Sequence, residues 1–583
     1  MKRCPQCNRV ETDEALKFCR VDGATLVSDS SPFNSEAGTA QLGSQAEASE
    51  VHTSILPQPT DANIHRATAP TSALPPQSAP ITTNGLSKPT SRRTAIIIAL
   101  TVTAVVAAAS AVVVNSYRSR NRNASSIQSI AVMPFVNESG NADVEYLSDG
   151  MTETLIRSLS NLPNLNVKAR STVFRYKGKA TDAKTIGKEL NVQAVLNGRV
   201  MQRGDQLTLS LELVDAETEN VIWSDEYLRK TSDLVTLQSE IARDVSVKLK
   251  SKLTGAEETK VTKTYTTDPK ALELYLKGRY LSRNFTLDGF TKGVDAFNQA
   301  LAIDPKYALA YAGLSDAYFY ASTIHLPPTE ALPKVGEYAL KALEADDSLA
   351  AAHHSLANYK ANYERDNPGA KREFERAVEL DPNDTSIYFD YSQFLANIGD
   401  SDQGIALAQR AKAIDPQDSY VSYTLAQALI LAGRYDEGLR EAETTIKLDN
   451  KNWWGYYWPG VAYSEKGMHE QAIGSLQTAA GIDDSPLIRG VLACALARAG
   501  RRTEAQHVID DLITAAKSKF VSQTSIALGY VGLGEKDKAF EWLGKSLESH
   551  DEQIIWIYKH PMFAPLRDDP RYKELLVKLN LAK

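Results

Sequence analysis

From residue 381 onward the sequence is periodic. Asp381-Pro382, Asp415-Pro416, Asp449-Asn450 and Asp483-Asp484 stand 34 residues apart, and Asp304-Pro305 is an earlier member out of step. A unit of that length holds two helices and their turns. One such pair cannot bury its own apolar face, so the chain must stack pair on pair. Small residues recur where the helices of such a stack cross: Ala377, Ala411, Gly438, Gly460, Ala472 and Ala479. Cys494 falls on one of these positions and reads as a small buried hydrophobe rather than a reactive thiol. The first unit carries a short insertion, and the second a longer one around His325 to Glu330.

This pattern resembles tetratricopeptide repeats (TPR), about seven of them over residues 269–549. The stretch IIWIYKHPMFAPLRDDPRYKELLVKL is expected to cap the last repeat, within residues 550–583. Repeats of this family line a concave groove with residues of each first helix. The 34-residue register places Phe389, Tyr420, Tyr423, Trp454 and Tyr457 on that face. Aromatic side chains give large contact area at low entropic cost and dominate interface hot spots, so these five are the candidate contacts for a protein or peptide partner. Ring packing between helices is the alternative account of them.

Upstream, residues 127–255 alternate between strand and helix patterns. SIAVMPFVN (129–137) reads as a buried strand, and Tyr146 to Leu162 carries Leu147, Met151, Leu155 and Leu159 at helical spacing. Leu165 to Ala169 reads as a second strand and Ala183 to Leu190 as a second helix. AVLNGRV, QLTLSLELVD and NVIWSDEYL read as three strands joined by short turns, giving an α/β domain with a mixed sheet. The stretches SIAVMPFVNESGNADVEYLSDGMTETLIRSL, VKARSTVFRYKGK, IGKELNV, LVDAETENVIWSDEY and LQSEIA resemble the TolB N-terminal-like domain. That resemblance implies an interaction or sensory module, usually extracytoplasmic and often joined to TPR repeats in bacterial membrane regulators. Asp149, Gly150 and Glu153 read as a helix N-terminus whose acidic residues complement the dipole.

Three of the chain's four cysteines crowd near its start. Cys4-x-x-Cys7 and Cys19-x-x-Asp22 are two short knuckles about a dozen residues apart, which resembles a small zinc ribbon over residues 1–27. Asp22 stands where a fourth cysteine is usual. A carboxylate ligates zinc, so a structural Zn2+ on Cys4, Cys7, Cys19 and Asp22 is the expectation, with a decayed, metal-free ribbon as the alternative. Residues 28–90 are rich in Ser, Thr, Pro, Ala and Gln and read as a disordered linker. Ala95 to Val114 is an uncharged apolar run long enough for a bilayer core, with arginines on both sides, and reads as one transmembrane helix. Its flanking charges tie. Thiolate ligands favour a reducing compartment, which points to the bacterial inner membrane with a cytosolic N-terminus and the C-terminal domains outside.

The formal net charge of −7 argues against nucleic-acid binding by the chain as a whole. No Walker, kinase or cyclase signature is present, Gly529, Gly532 and Gly534 follow no strand, and His353-His354 has no ligand at metal spacing within its helix. The sequence reading is therefore a multidomain chain (zinc ribbon, transmembrane helix, α/β domain, all-α TPR solenoid) that is not an enzyme. It acts as a membrane-anchored scaffold or signalling component that binds a protein partner through the TPR groove. The alternative is a membrane-tethered transcription regulator whose ribbon touches DNA. The near-neutral ribbon weakens that alternative, since phosphate contacts dominate DNA affinity.

Overall fold

The computed structural model describes residues 127–249, 253–284 and 286–581, together with three two-residue strands near the start. The chain divides into two compact units, Met1–Leu100 and Thr101–Lys583. In the first unit β1 (Lys2–Arg3) pairs antiparallel with both β2 (Val10–Glu11) and β3 (Val27–Ser28). Cys4, Cys7, Cys19, Asp22, the linker and the apolar run 95–114 lie outside the described residues. The expectation of a single-pass inner-membrane protein is corrected: no helix among the described residues is long and apolar enough to cross a membrane.

The second unit opens with the expected α/β domain. Its strands are β4 (Ser129–Val132), β5 (Val136–Asn137), β6 (Asn166–Val167), β7 (Ala194–Arg203), β8 (Gln206–Asp215) and β9 (Val221–Lys230). The sheet order is β6-β4-β7-β8-β9, parallel across β6, β4 and β7 and antiparallel across β7, β8 and β9. The single strand expected at 129–137 is two: it breaks at Met133–Phe135, and both pieces pair with β7. Phe135 turns inward there, and its ring would lie 2.3 Å from any Cβ at position 198, which is why β7 reads AVLNGRV with glycine at its centre. Helices α1 (Glu145–Ser160), α2 (Arg170–Val173), α3 (Ala183–Leu190) and α4 (Leu234–Leu249) complete the domain, and α5 (Gly255–Val261) leads to the array.

The array is a succession of helix pairs: α6 (Pro269–Ser282) with α7 (Leu287–Ile303), α8 (Ala308–Ile324) with α9 (Pro328–Ala345), and α10 (Ala350–Tyr359) with α11 (Asn367–Leu380). Then come α12 (Thr385–Ile398) with α13 (Ser401–Ile414), α14 (Ser419–Leu431) with α15 (Tyr435–Leu448), and α16 (Trp454–Glu465) with α17 (His469–Ile482). The last are α18 (Pro486–Arg498) with α19 (Arg502–Ala515) and α20 (Gln523–Leu533) with α21 (Lys536–Glu548). These are eight pairs among the described residues, where about seven repeats were expected. In the last five pairs the turn between helices carries a left-handed glycine: Gly399, Gly433, Gly467, Gly500 and Gly534, with φ from 71° to 93°. Aspartates start several helices; Asp268 accepts from the backbone N–H groups of Lys270 and Ala271, and Asp384 and Asp418 cap α12 and α14.

The departures from the period have physical homes. The extra residues of the second unit do not form a loop at His325 to Glu330; they lengthen α8 to 17 and α9 to 18 residues. The third unit is one residue longer than the period, and a π-helical turn at Lys360–Glu364 absorbs the excess, closed by Arg365 at φ 57°. Beyond α21 the chain forms two 3-10 turns, Glu552–Ile557 and Pro561–Leu566, and α22 (Pro570–Lys578).

Candidate partner-binding surface

The first helix of each pair packs on the first helix of the next, so one face of the array is built from α6, α8, α10, α12, α14, α16, α18 and α20. A polar chain runs along this face. Arg279 donates to Asp316 at 3.0 Å, and Asp316 accepts from Ser355 at 3.0 Å. Next to them His354 Nε2 meets Asp390 at 2.7 Å, with Asn358 donating to the same carboxylate at 3.0 Å. Gln393 then donates to the Tyr423 hydroxyl at 3.0 Å. Each link joins neighbouring first helices. His353 binds Glu373 at 2.7 Å. Both histidines thus have carboxylate partners on adjacent helices, which no search within one helix could reveal.

The five aromatic residues come together on this face. Tyr423 stacks on Trp454 with centroids 5.1 Å apart and takes the edges of Phe389 and Tyr420; Trp454 meets Tyr457 at 5.3 Å. Their exposure differs sharply. Tyr423 and Tyr457 are buried, Phe389 and Trp454 are half-buried, and Tyr420 is 54% exposed. Trp453, Trp458, Trp556 and His560, which the 34-residue register does not single out, join the same cluster. Trp556 from the C-terminal segment packs 6.5 Å from Trp454 and 6.0 Å from Trp458, and His560 stacks on Trp556 at 5.9 Å. The segment expected only to cap the last repeat therefore crosses the inner face. Burial pushes His560 down to about 3, so it is neutral there.

Further along, Ser322 at the end of α8 hydrogen-bonds Glu552. Burial raises the Glu552 carboxyl to about 7, opposed by the Ser322 bond and helped by Asp551 and Asp390. Tyr363 stacks on His550 at 4.4 Å, Arg365 donates to the Leu547 carbonyl at 3.3 Å, and Asn367 and Asn580 each donate to backbone of the other's segment at 3.0 Å. The π turn of the third pair thus clasps the end of the array.

The α/β domain meets the same array twice. Near α6, Glu153 is held by Arg170, by Arg279 at 3.7 Å and by Arg283 at 3.5 Å. Burial alone would raise this carboxyl, but the three guanidinium groups overcome it and hold it at about 2. Burial and the neighbouring guanidinium groups draw Arg283 down to about 10, against the pull of Glu153. The helix-dipole reading of Asp149 and Glu153 is thereby corrected: α1 begins at Glu145, Asp149 pairs with Lys177 at 2.6 Å, and Glu153 joins the domain to the first repeat. At the second contact Ser171 donates to Asp418 at 2.6 Å and Lys168 to the Ile414 carbonyl at 3.4 Å. Asp415, buried beside Asp418, rises to about 6. Cys494 is buried and its thiol is pushed up to about 11, in keeping with a packing role.

Among known families, the model of the HilA/YgeH-like transcriptional regulator second domain matches residues 125–244, the span that resembles the TolB N-terminal-like domain. A tetratricopeptide repeat model matches residues 362–428. A curated protein of Rhizobium meliloti (strain 1021), putative adenylate cyclase 3, is 31% identical over 231 residues. The chain spans only 39% of that relative, and the alignment covers 39% of this chain. That similarity overturns the exclusion of an enzyme drawn from the sequence. Among solved structures, YrrB, described as a TPR protein with an unusual peptide-binding site, is 22% identical, covering 33% of this chain and 96% of its own at a TM-score of 0.25. Pseudomonas aeruginosa PilF is 16% identical, covering 36% and 95% at a TM-score of 0.28. The pilus biogenesis factor PilW is 13% identical, covering 36% and 94% at 0.31. The C-terminal helical region of this chain is an array of tetratricopeptide repeats, an architecture that suggests a scaffold for protein–protein interaction.

Proposed function

We propose that the chain is a regulatory scaffold that binds a protein or peptide partner along the inner face of its repeats. Tyr420 makes the leading contact, with half-buried Phe389 and Trp454 beside it and Tyr423 and Tyr457 as the rigid wall behind. The observation that carries this reading is the exposure of Tyr420 at the edge of a ring stack whose other members are buried or half-buried. An exposed aromatic anchored by packed neighbours is what an interface hot spot requires. The test is a photo-crosslinking amino acid at position 420 of the full chain in its native cells. A discrete partner that also binds the purified protein, and binds it at least about tenfold more weakly after Tyr420→Ala, supports the reading. Crosslinks confined to the chain itself refute it.

The HilA/YgeH-like match favours a regulatory role for the α/β domain, as does the resemblance to TolB-type interaction modules. The similarity to a protein named putative adenylate cyclase 3 supports a link between that regulation and nucleotide signalling. A structural zinc ion on Cys4, Cys7, Cys19 and Asp22 belongs to the same reading. The antiparallel strands β1, β2 and β3 support it, because the two knuckles fall in the stretches that join them. Elemental analysis of the purified chain is expected to give one zinc per chain, lost in Cys4→Ser. A metal-free protein would end the proposal.

A further inference from the structure

A crevice lies where α1 and α4 of the α/β domain meet the linker 262–268 and the start of the array. Its lining includes three cations, Arg157, Lys260 and Lys263, and no carboxylate. Lys263 has Asp346 at 2.6 Å, outside the lining, whereas Arg157 donates only to the Tyr275 hydroxyl at 3.2 Å. No described carboxylate lies within ion-pair distance of Arg157. The buried Asp381 acts on Arg157 only from beyond that distance, so the guanidinium keeps donor positions that a closer oxyanion would take. Inward, the crevice adjoins a smaller space lined by Phe135, Met151, Leu155 and Ile241. Thr154, Ser158 and Gln238 line both. Gln238 Nε2 is buried there without a hydrogen-bond partner, a donor left facing the junction.

We propose that this crevice binds a small organic acid, with its oxyanion on Arg157 and its short apolar body along Val235, Val261 and Leu272. Gln238 and the hydroxyls of Thr154 and Ser158 supply polar contacts at the neck. The ligand bridges the α/β domain and the first repeat, since Tyr275 and Tyr307 of the array line the same space. It is independent of the partner surface on the inner face, so either reading can fail without the other.

The experiment is calorimetric titration of the full chain with hexanoate, hexyl phosphate and 1-hexanol at fixed ionic strength. One or both anions are expected to bind at least about tenfold more tightly than the alcohol. Which anion wins distinguishes a carboxylate ligand from a phosphate ester. Arg157→Gln should erase the preference for the anion. Because that change also removes a bond to Tyr275, Lys260→Gln serves as a second variant at an exposed position and should weaken anion binding about threefold. Hexanol binding as tightly as both anions, or undiminished anion binding in both variants, overturns the proposal.

Discussion

Replacing Glu153 by glutamine tests how the α/β domain is fastened to the first repeat. The substitution keeps the shape and removes the charge that three guanidinium groups share. The carboxyl sits at about 2 against an ordinary value of 4.5. A depressed carboxyl stabilises the fold above its unfolded value, and that stabilisation is lost as pH falls through the folded value. The gap of about two and a half units corresponds to about 3 kcal/mol at pH 7. The side chain is only 10% exposed, so solvent screening removes little of it. At pH 3, between the two values, only about 1 kcal/mol remains. A repeat array need not unfold in one step, so the quantity to measure is local. Hydrogen exchange over peptides spanning Glu145–Ser160 and Pro269–Ser282 should show protection falling about a hundredfold in Glu153→Gln at pH 7 and roughly tenfold at pH 3. Unchanged protection at pH 7, or an equal loss at both pH values, would refute the electrostatic account.

Three further outcomes are expected. Gly490→Ala should destabilise the last two repeats by about 2 kcal/mol in urea unfolding, although alanine ordinarily favours a helix, because the added Cβ would lie 2.4 Å from the Ser525 carbonyl oxygen. Trp556→Ala should cost about 2 kcal/mol and raise protease cleavage within 551–581, since its ring joins Trp454, Trp458 and His560. The raised Glu552 carboxyl stabilises docking of the C-terminal segment below about 4.5, and this is lost as pH rises through about 7. Glu552→Gln, facing Ser322, Asp390 and Asp551, should therefore slow exchange in that segment at pH 8 and leave it unchanged at pH 4.

Local pattern carried much of this fold. The helices at 183–190 and 145–160 and the strand at 206–215 follow from side-chain periodicity, because each turns one apolar face into the domain core. Phe389, Tyr420, Tyr423, Trp454 and Tyr457, which the 34-residue register aligns, pack against one another in the structure. What it could not carry were contacts between distant segments. Ser322 and Glu552 meet across 230 residues, and Ser171 and Asp418 across 247. Trp556 looked like a capping residue because nothing in its own sequence neighbourhood marks the face it covers. Glu153 looked like a dipole partner because its arginines come from α2 and α6. The π turn was invisible because a one-residue excess has no compositional signature.

That π turn has a consequence for how the protein comes apart under load. An open stack of helix pairs behaves as a spring and peels from its free end one pair at a time. Here the third pair grips the terminal one through Arg365, Asn367 and Asn580, with Tyr363 stacked on His550. Pulling on the C-terminus must first break this clasp, and the four pairs between then yield as a block rather than in sequence. A force–extension trace would show one tall rupture where an unclasped array gives a low sawtooth.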